Sequence, residues 1–398
     1  MKEISLKSRK LTFWNIWSSY ATYYFGKVNL SIVIPVLLVA FTELSLMNVG
    51  LISTAFFMAY AIGQFLNGYI SEKYNPFIYI SIGLIGSGIM NFILGWWGGI
   101  FAVLIVFEFM DGFFQSMGWS SCVRANAMIQ KKEDREKSSV LLGTSYQIGN
   151  SIAWLISALV VSWWGWQAGF FVASGFLITR GVLLLFTKPN LDMSSVKKRK
   201  TISQVKSTLV FPIIMGGIAL CLLNMIRFGI ITWIPLYLFQ QGALTVASMG
   251  SVGMKVCLLP LAGVLGTLLY NKVKKNKDLL TVFFCIMLTI IFVALAFSSE
   301  WVAFLLLLAG SFFIYGPHVF FVSTLPTRFI DSQITASSTG FINGMGYVGT
   351  VLIGIIIPFI LSFSTGWSGV FVFWAILSSM IAVLAWIIYK SKKRFLRG

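Results

Sequence analysis

The chain has 398 residues, of which 58% are hydrophobic, 16% aromatic and only 11% charged, with a formal net charge of +18. That composition excludes an ordinary soluble domain and points to membrane-spanning helices. The basic excess is spread over short connections rather than gathered in one soluble domain, so the sequence predicts anionic lipid headgroups as its partner and not nucleic acid.

The hydrophobic runs exceed about 20 residues, the length that crosses a bilayer as a helix, and show no period-two alternation, which excludes a β-barrel. In chain order they predict twelve spans, at approximately 13–40, 47–71, 76–96, 99–127, 138–163, 166–188, 208–240, 245–271, 279–298, 301–326, 335–364 and 366–389. Alternate connections carry Lys73, then Arg124 through Lys137, Lys188 through Lys206, Lys272 through Lys277, and Arg328. The opposite connections hold no Lys or Arg. This asymmetry places both termini and the basic loops in the cytoplasm of a multi-pass protein of the cell membrane. Lys2, Lys7, Arg9 and Lys10 lead straight into the first span, as expected of a cytoplasmic start without a cleaved leader.

The first span carries one cation, Lys27, followed eight residues on by the proline of Ile34-Pro35. The seventh repeats the pattern with Arg227 and Ile234-Pro235. A charge inside the bilayer costs roughly 2.5–3.5 kcal/mol on insertion scales, so each marks a functional position. Other matches recur at nearly the same spacing: Asp111-Gly112-Phe113-Phe114 with Gly310-Ser311-Phe312-Phe313, and Gly165-Trp166 with Gly366-Trp367. The chain therefore reads as a duplication, with bundles of six helices at 1–190 and 208–398 joined by a cytoplasmic linker at 191–207. The linker's Lys197-Lys198-Arg199-Lys200 run reads as a topology signal.

Within the spans, Lys27 and Arg227 are the candidate anion ligands. Glu108 and Asp111, three residues apart on one face of the fourth span, are candidate proton carriers or partners for Lys255 or another cation. His318 is the only histidine and reads as a packing residue able to titrate near neutrality. Arg180 is expected to snorkel to the cytoplasmic interface. Tyr24, Gln64, Tyr146 and Tyr315 are the preferred polar substrate ligands, on the first, second, fifth and tenth spans. Gly340, Gly344, Gly346 and Gly349 read as a face for close helix packing. Cys122, Cys221, Cys257 and Cys285 have no metal-ligand or disulfide spacing and read as small apolar residues. No convergent nucleophile and base is present and no phosphate-binding loop, so neither an enzyme, a metal site, a cofactor nor an ATP-driven pump is expected.

The whole chain resembles the major facilitator superfamily. Gly68-x-x-x-Glu72-Lys73 is similar to its conformational motif between the second and third helices, with Glu72 where aspartate is usual. Closer likeness runs to the organophosphate:phosphate antiporters. It is carried by Tyr23-Tyr24-Phe25-Gly26-Lys27-Val28-Asn29, by Phe114 through Arg124, by Arg227 through Pro235 and by Ile314-Tyr315-Gly316-Pro317. The resemblance implies that Lys27 and Arg227 face one cavity and bind phosphate, with lysine standing where the family has arginine. Gln64 and Tyr146 fall where the glycerol-phosphate members carry lysine and histidine. The same resemblance implies a monomeric secondary transporter of small organic anions that works by alternating access. Exchange of a sugar phosphate or glycerol phosphate for inorganic phosphate stands first. A proton-coupled symporter of carboxylate or sugar-acid anions and a non-transporting sensor of a phosphorylated sugar are the alternatives.

Overall fold

The computed structural model of the protein describes residues 6–70, 74–131, 134–189, 207–242, 244–273, 276–327 and 335–395. Among the described residues there are fourteen α-helices and no strand. They are α1 (Leu6–Ala40), α2 (Leu46–Ile70), α3 (Pro76–Trp97), α4 (Phe101–Ile129), α5 (Arg135–Trp164), α6 (Trp166–Thr187) and α7 (Ser207–Gln240). The rest are α8 (Met249–Val256), α9 (Leu258–Lys272), α10 (Lys277–Ala296), α11 (Glu300–Val319), α12 (Leu325–Thr327), α13 (Thr335–Leu361) and α14 (Gly366–Phe395).

Among the described residues, eleven segments are long and apolar enough to cross a membrane. Two of them are composite: Val246–Lys272 joins α8 to α9, and Glu300–Thr324 runs α11 into a π-helical turn at Phe320–Thr324. A twelfth helix of sufficient length is the 30-residue α5, made more polar by Thr144, Ser145, Gln147, Asn150 and Ser151. Each of the twelve expected spans thus has a helical counterpart, in order.

Local sequence explains the punctuation. The side chain of Asn75 accepts a hydrogen bond from Phe77 N at 3.0 Å, and Pro76 at the first helical position needs no partner for the N–H it lacks, so α3 starts there. Gly165 between α5 and α6 has φ 80°, and Gly366 at the start of α14 has φ 52°. Both lie in the left-handed region that glycine enters without steric cost, which accounts for the matched Gly-Trp pairs. The break between α8 and α9 at Cys257 is followed closely by Pro260, which has no N–H to return to the preceding turn.

Contacts gather the chain into two compact units, Met1–Lys198 with Thr232–Cys257, and Arg199–Ile231 with Leu258–Gly398. In the first, α2 packs on α4, α3 on α4 and α6, α1 on α5 and α6, and α8 on α5. In the second, α9 packs on α11, and α10 packs on α11 and α14. These pairings repeat: second span with fourth, third with fourth and sixth.

The repeat reaches the atomic level. A methyl group added at Gly149 on α5 would strike the carbonyl oxygen of Ala21 on α1, and one added at Gly349 on α13 would strike that of Cys221 on α7. All four residues match at an offset of 200. Gly346 likewise lets α13 lie against Leu220 and Asn224, whereas a methyl group at Gly340 would meet nothing. The packing face expected on this helix therefore belongs to Gly346 and Gly349. The linker residues 191–206, and Glu72 and Lys73 of the loop motif, lie outside the described residues; Gly68 falls in the last turn of α2.

Candidate functional site

Lys27 sits midway along α1 and is only 7% exposed. Its Nζ lies 4.0 Å from the ring centroid of Tyr60 on α2 and 5.2 Å from that of Tyr24. Rings at such distances attract a cation through their quadrupole and replace part of the hydration a buried ammonium loses. Tyr24 stacks on Tyr146 of α5 with centroids 6.4 Å apart, and Trp119 of α4 lies between Tyr20 and Tyr146 at 4.8 and 6.3 Å. Four helices thus contribute to one aromatic cluster around the cation. Of the expected ligands, Tyr24 and Tyr146 belong to it, while the Gln64 amide donates to Ser116 O on α4 at 3.4 Å. Tyr60 was not singled out from sequence.

A polar network lies beside Lys27. Glu108 and Asp111 on α4 are buried. Asn91 of α3 donates to Asp111 Oδ2 at 2.9 Å and to Ser87 O at 2.9 Å, and its Oδ1 accepts from Asn29 of α1 at 2.6 Å. Gln115 donates to Ser87 Oγ at 2.8 Å. Gly26 makes this approach possible, because a Cβ there would sit 2.5 Å from Gln115 Nε2 and 2.9 Å from Ser87 Oγ. Lys27 is near enough to act electrostatically on Asp111.

In the second unit Arg227 is also 7% exposed. Its Cζ lies 4.8 Å from the ring of Phe228 and 5.4 Å from that of Tyr315 on α11. Its Nη1 is 3.5 Å from His318 Nε2, and the Tyr315 and His318 rings are 6.1 Å apart. His318 therefore faces Arg227, a placement that spacing did not anticipate. Pro317 precedes it, and the π-helical turn begins at Phe320; such turns recur at functional sites.

Lys255 is half-buried in the last turn of α8. Arg180 donates to Asn15 O at 2.6 Å and Asn15 Oδ1 at 3.1 Å, so it ties α6 to α1 instead of reaching freely to the interface. Among the described residues no group of three His, Cys, Asp or Glu could hold a metal ion.

Both cations are thus buried, ringed by aromatics and set at equivalent positions of a repeat. The sequence profile of the Major Facilitator Superfamily matches residues 16–354, most of the chain. The protein belongs to the Major Facilitator Superfamily. Its relatives include the membrane sensor protein UhpC of Escherichia coli, 23% identical over 93% of this chain and 89% of that one. A probable hexose phosphate transport protein of Chlamydia pneumoniae is 22% identical over 90% of this chain and 86% of its own. The glycerol-3-phosphate transporter of Haemophilus influenzae is 27% identical over 85% and 82%. In fold it is similar to the crystal structure of a bacterial homologue of the human lysosomal transporter Spinster, inward-facing and unoccupied, with a TM-score of 0.77, 12% identity and 99% of both chains covered. As a superfamily member it is a multi-pass membrane protein with the transporter fold.

Proposed function

We propose that the protein is a secondary transporter of phosphate esters, exchanging a sugar phosphate or glycerol phosphate for inorganic phosphate across the cytoplasmic membrane. The observation that carries this reading is the pair of buried cations, Lys27 and Arg227, at matched positions of the two repeats. Each would offer its charge to an anionic substrate near the bilayer midplane, where alternating access keeps its site. Arg227 brings a planar fork suited to two phosphate oxygens, and Lys27 a compact point charge. Tyr24, Tyr60, Tyr146 and Tyr315 would supply hydroxyls and ring faces to the organic part. Both termini and the basic loops face the cytoplasm in this reading, two six-helix halves rock about the linker at 191–207, and the protein works as a monomer.

The test is uptake of labelled inorganic phosphate into proteoliposomes preloaded with phosphate. Glycerol 3-phosphate and glucose 6-phosphate are expected to compete, and lactate and gluconate are not. Competition by the carboxylates alone would overturn the phosphate reading, and binding of a phosphorylated sugar without flux would mark a sensor.

Tyr60 offers a finer check. Tyr60→Leu removes a ring 4.0 Å from Lys27 Nζ while keeping an apolar side chain. A desolvated cation–π contact contributes about 1–2 kcal/mol, so a roughly 5- to 30-fold change in apparent phosphate affinity is expected. An unchanged half-saturation concentration would remove Tyr60 from the site.

A further inference from the structure

The contact between Arg227 and His318 sets a hydrogen-bond donor against an acceptor. Arg227 Nη1 lies 3.5 Å from Nε2 of the half-buried His318. A guanidinium has N–H donors and no acceptor. The ring nitrogen turned toward it is therefore the one with the lone pair, and neutral His318 carries its proton on Nδ1. At 3.5 Å the contact is long for a hydrogen bond, so little is lost when an incoming group takes both nitrogens as its partners.

The helix fixes this orientation. Gly316 faces α9 and α10, since a Cβ there would lie 2.5 Å from Phe284 Cδ1 and 2.8 Å from Tyr270 Cδ2. His318, two residues on, is about 200° farther round the helix and leaves it on the other side, toward Arg227 of α7. The ionisable groups of the neighbouring helices are engaged elsewhere. Tyr270 of α9 bonds to Thr281 Oγ1 at 2.8 Å, and Lys277 of α10 lies 5.6 Å from the Tyr270 ring. Asp278 is buried in the first turn of α10, Cys285 is buried on the same helix, and Lys272 is exposed near the end of α9. Tyr347 of α13 meets Phe228, and the π-helical turn Phe320–Thr324 has no ionisable side chain. His318 thus has the charge of Arg227 and the ring of Tyr315, 6.1 Å away, on its side of the helix.

We infer that His318 is a specificity residue of the anion site: its Nε2 accepts the P–O–H hydrogen of a monobasic phosphate group whose neighbouring oxygen accepts from Arg227. This rests on the reading of Arg227 as an anion ligand. The arrangement separates anions of the same shape. Monobasic phosphate and the monobasic phosphate of an ester both keep one P–O–H, so each offers an acceptor to the arginine and a donor to the histidine. Sulfate at neutral pH is fully deprotonated and would turn an anionic oxygen toward the Nε2 lone pair. A site built to hydrogen-bond a substrate hydroxyl rejects strongly an analogue that lacks it. The distinction holds while His318 is neutral, because a protonated imidazole has two donors and no acceptor.

Displacement of labelled phosphate from the purified full-length protein in detergent tests this without requiring transport. Near neutral pH, wild type is expected to bind phosphate about a hundredfold or more tightly than sulfate. His318→Leu should shrink that preference by about tenfold or more. His318→Gln, whose amide oxygen accepts the same hydrogen, should keep it to within about threefold of wild type. Above neutral pH, monobasic phosphate gives way to dibasic, so phosphate binding to wild type should weaken while sulfate binding does not follow it. Acidification should strengthen sulfate binding to wild type, where His318 gains its second donor, and leave His318→Gln unchanged. Equal affinity of wild type for the two anions, an undiminished preference in folded His318→Leu, or parallel pH dependence of phosphate and sulfate would each overturn the proposal. The first and third of these outcomes need only the wild-type protein. Phosphate affinity unaltered in Arg227→Ala would instead overturn the reading of Arg227 on which the proposal rests.

Discussion

Arg227→Ala is expected to lower phosphate exchange in proteoliposomes by about a hundredfold or more, with the protein still folded. A charge-assisted hydrogen bond to phosphate contributes about 1.5–3 kcal/mol, and a guanidinium can make two in parallel. Losing both removes about 3–6 kcal/mol, about two to four orders of magnitude in affinity. Arg227→Lys should keep the charge and lose the fork, leaving about a tenth of wild-type exchange. The second unit also offers His318, 3.5 Å from Arg227, which the alanine variant leaves facing the vacated space. Exchange measured alongside thermal unfolding separates function from folding, because a binding residue moves the first and leaves the second within about 5 °C. Exchange within threefold of wild type would mean that the anion does not bind at Arg227.

Lys27 should be equally sensitive to alanine but for a different physical reason. Its ammonium is held over Tyr60 and its charge acts on the buried Asp111, so Lys27→Ala removes the anion's contact and also a charge that favours that carboxylate. Leaving a buried carboxylate with less compensating charge costs stability. A fall in melting temperature is therefore expected for Lys27→Ala, which the same thermal experiment reads.

Much of this architecture was legible because membranes simplify the code. Run length marks each crossing, and an offset near 200 betrays the duplication. What sequence could not give is which way each helix is rotated. A span apolar on nearly every side, such as α2, does not announce that Tyr60 rather than Gln64 lies under Lys27. Asn91 and Asn29 were readable as polar residues in apolar spans, but their joining to Asp111 depends on how closely α1 approaches α3 and α4 at Gly26. His318 was visible as the one histidine, yet its position against Arg227 depends on the packing of α11 on α7, which no local spacing encodes. The break at Cys257 could have been suspected from Pro260; the π-helical turn after Pro317 had only that proline as a signal.

Gly149→Val and Gly349→Val should both destabilise the protein strongly, although neither lies at a charged site. In the bilayer the burial of apolar surface gives helices little reason to associate, and close backbone packing carries more of the task. At both positions the added Cβ would strike a carbonyl oxygen of the neighbouring helix, which cannot rotate aside as a side chain can. Overpacking of this kind costs about 1–3 kcal/mol when side chains yield, and more when backbones must part. At about 2–4 °C per kcal/mol, a fall in melting temperature of about 6–12 °C or more is expected in detergent. Gly340→Val is the control, since it lies on the same helix as Gly349 and its added methyl would meet nothing. Equal losses at positions 340 and 349 would attribute the effect to helix propensity or insertion. A loss confined to 149 and 349 would establish that the two repeats are closed by the same helix pair, brought together at the same glycine.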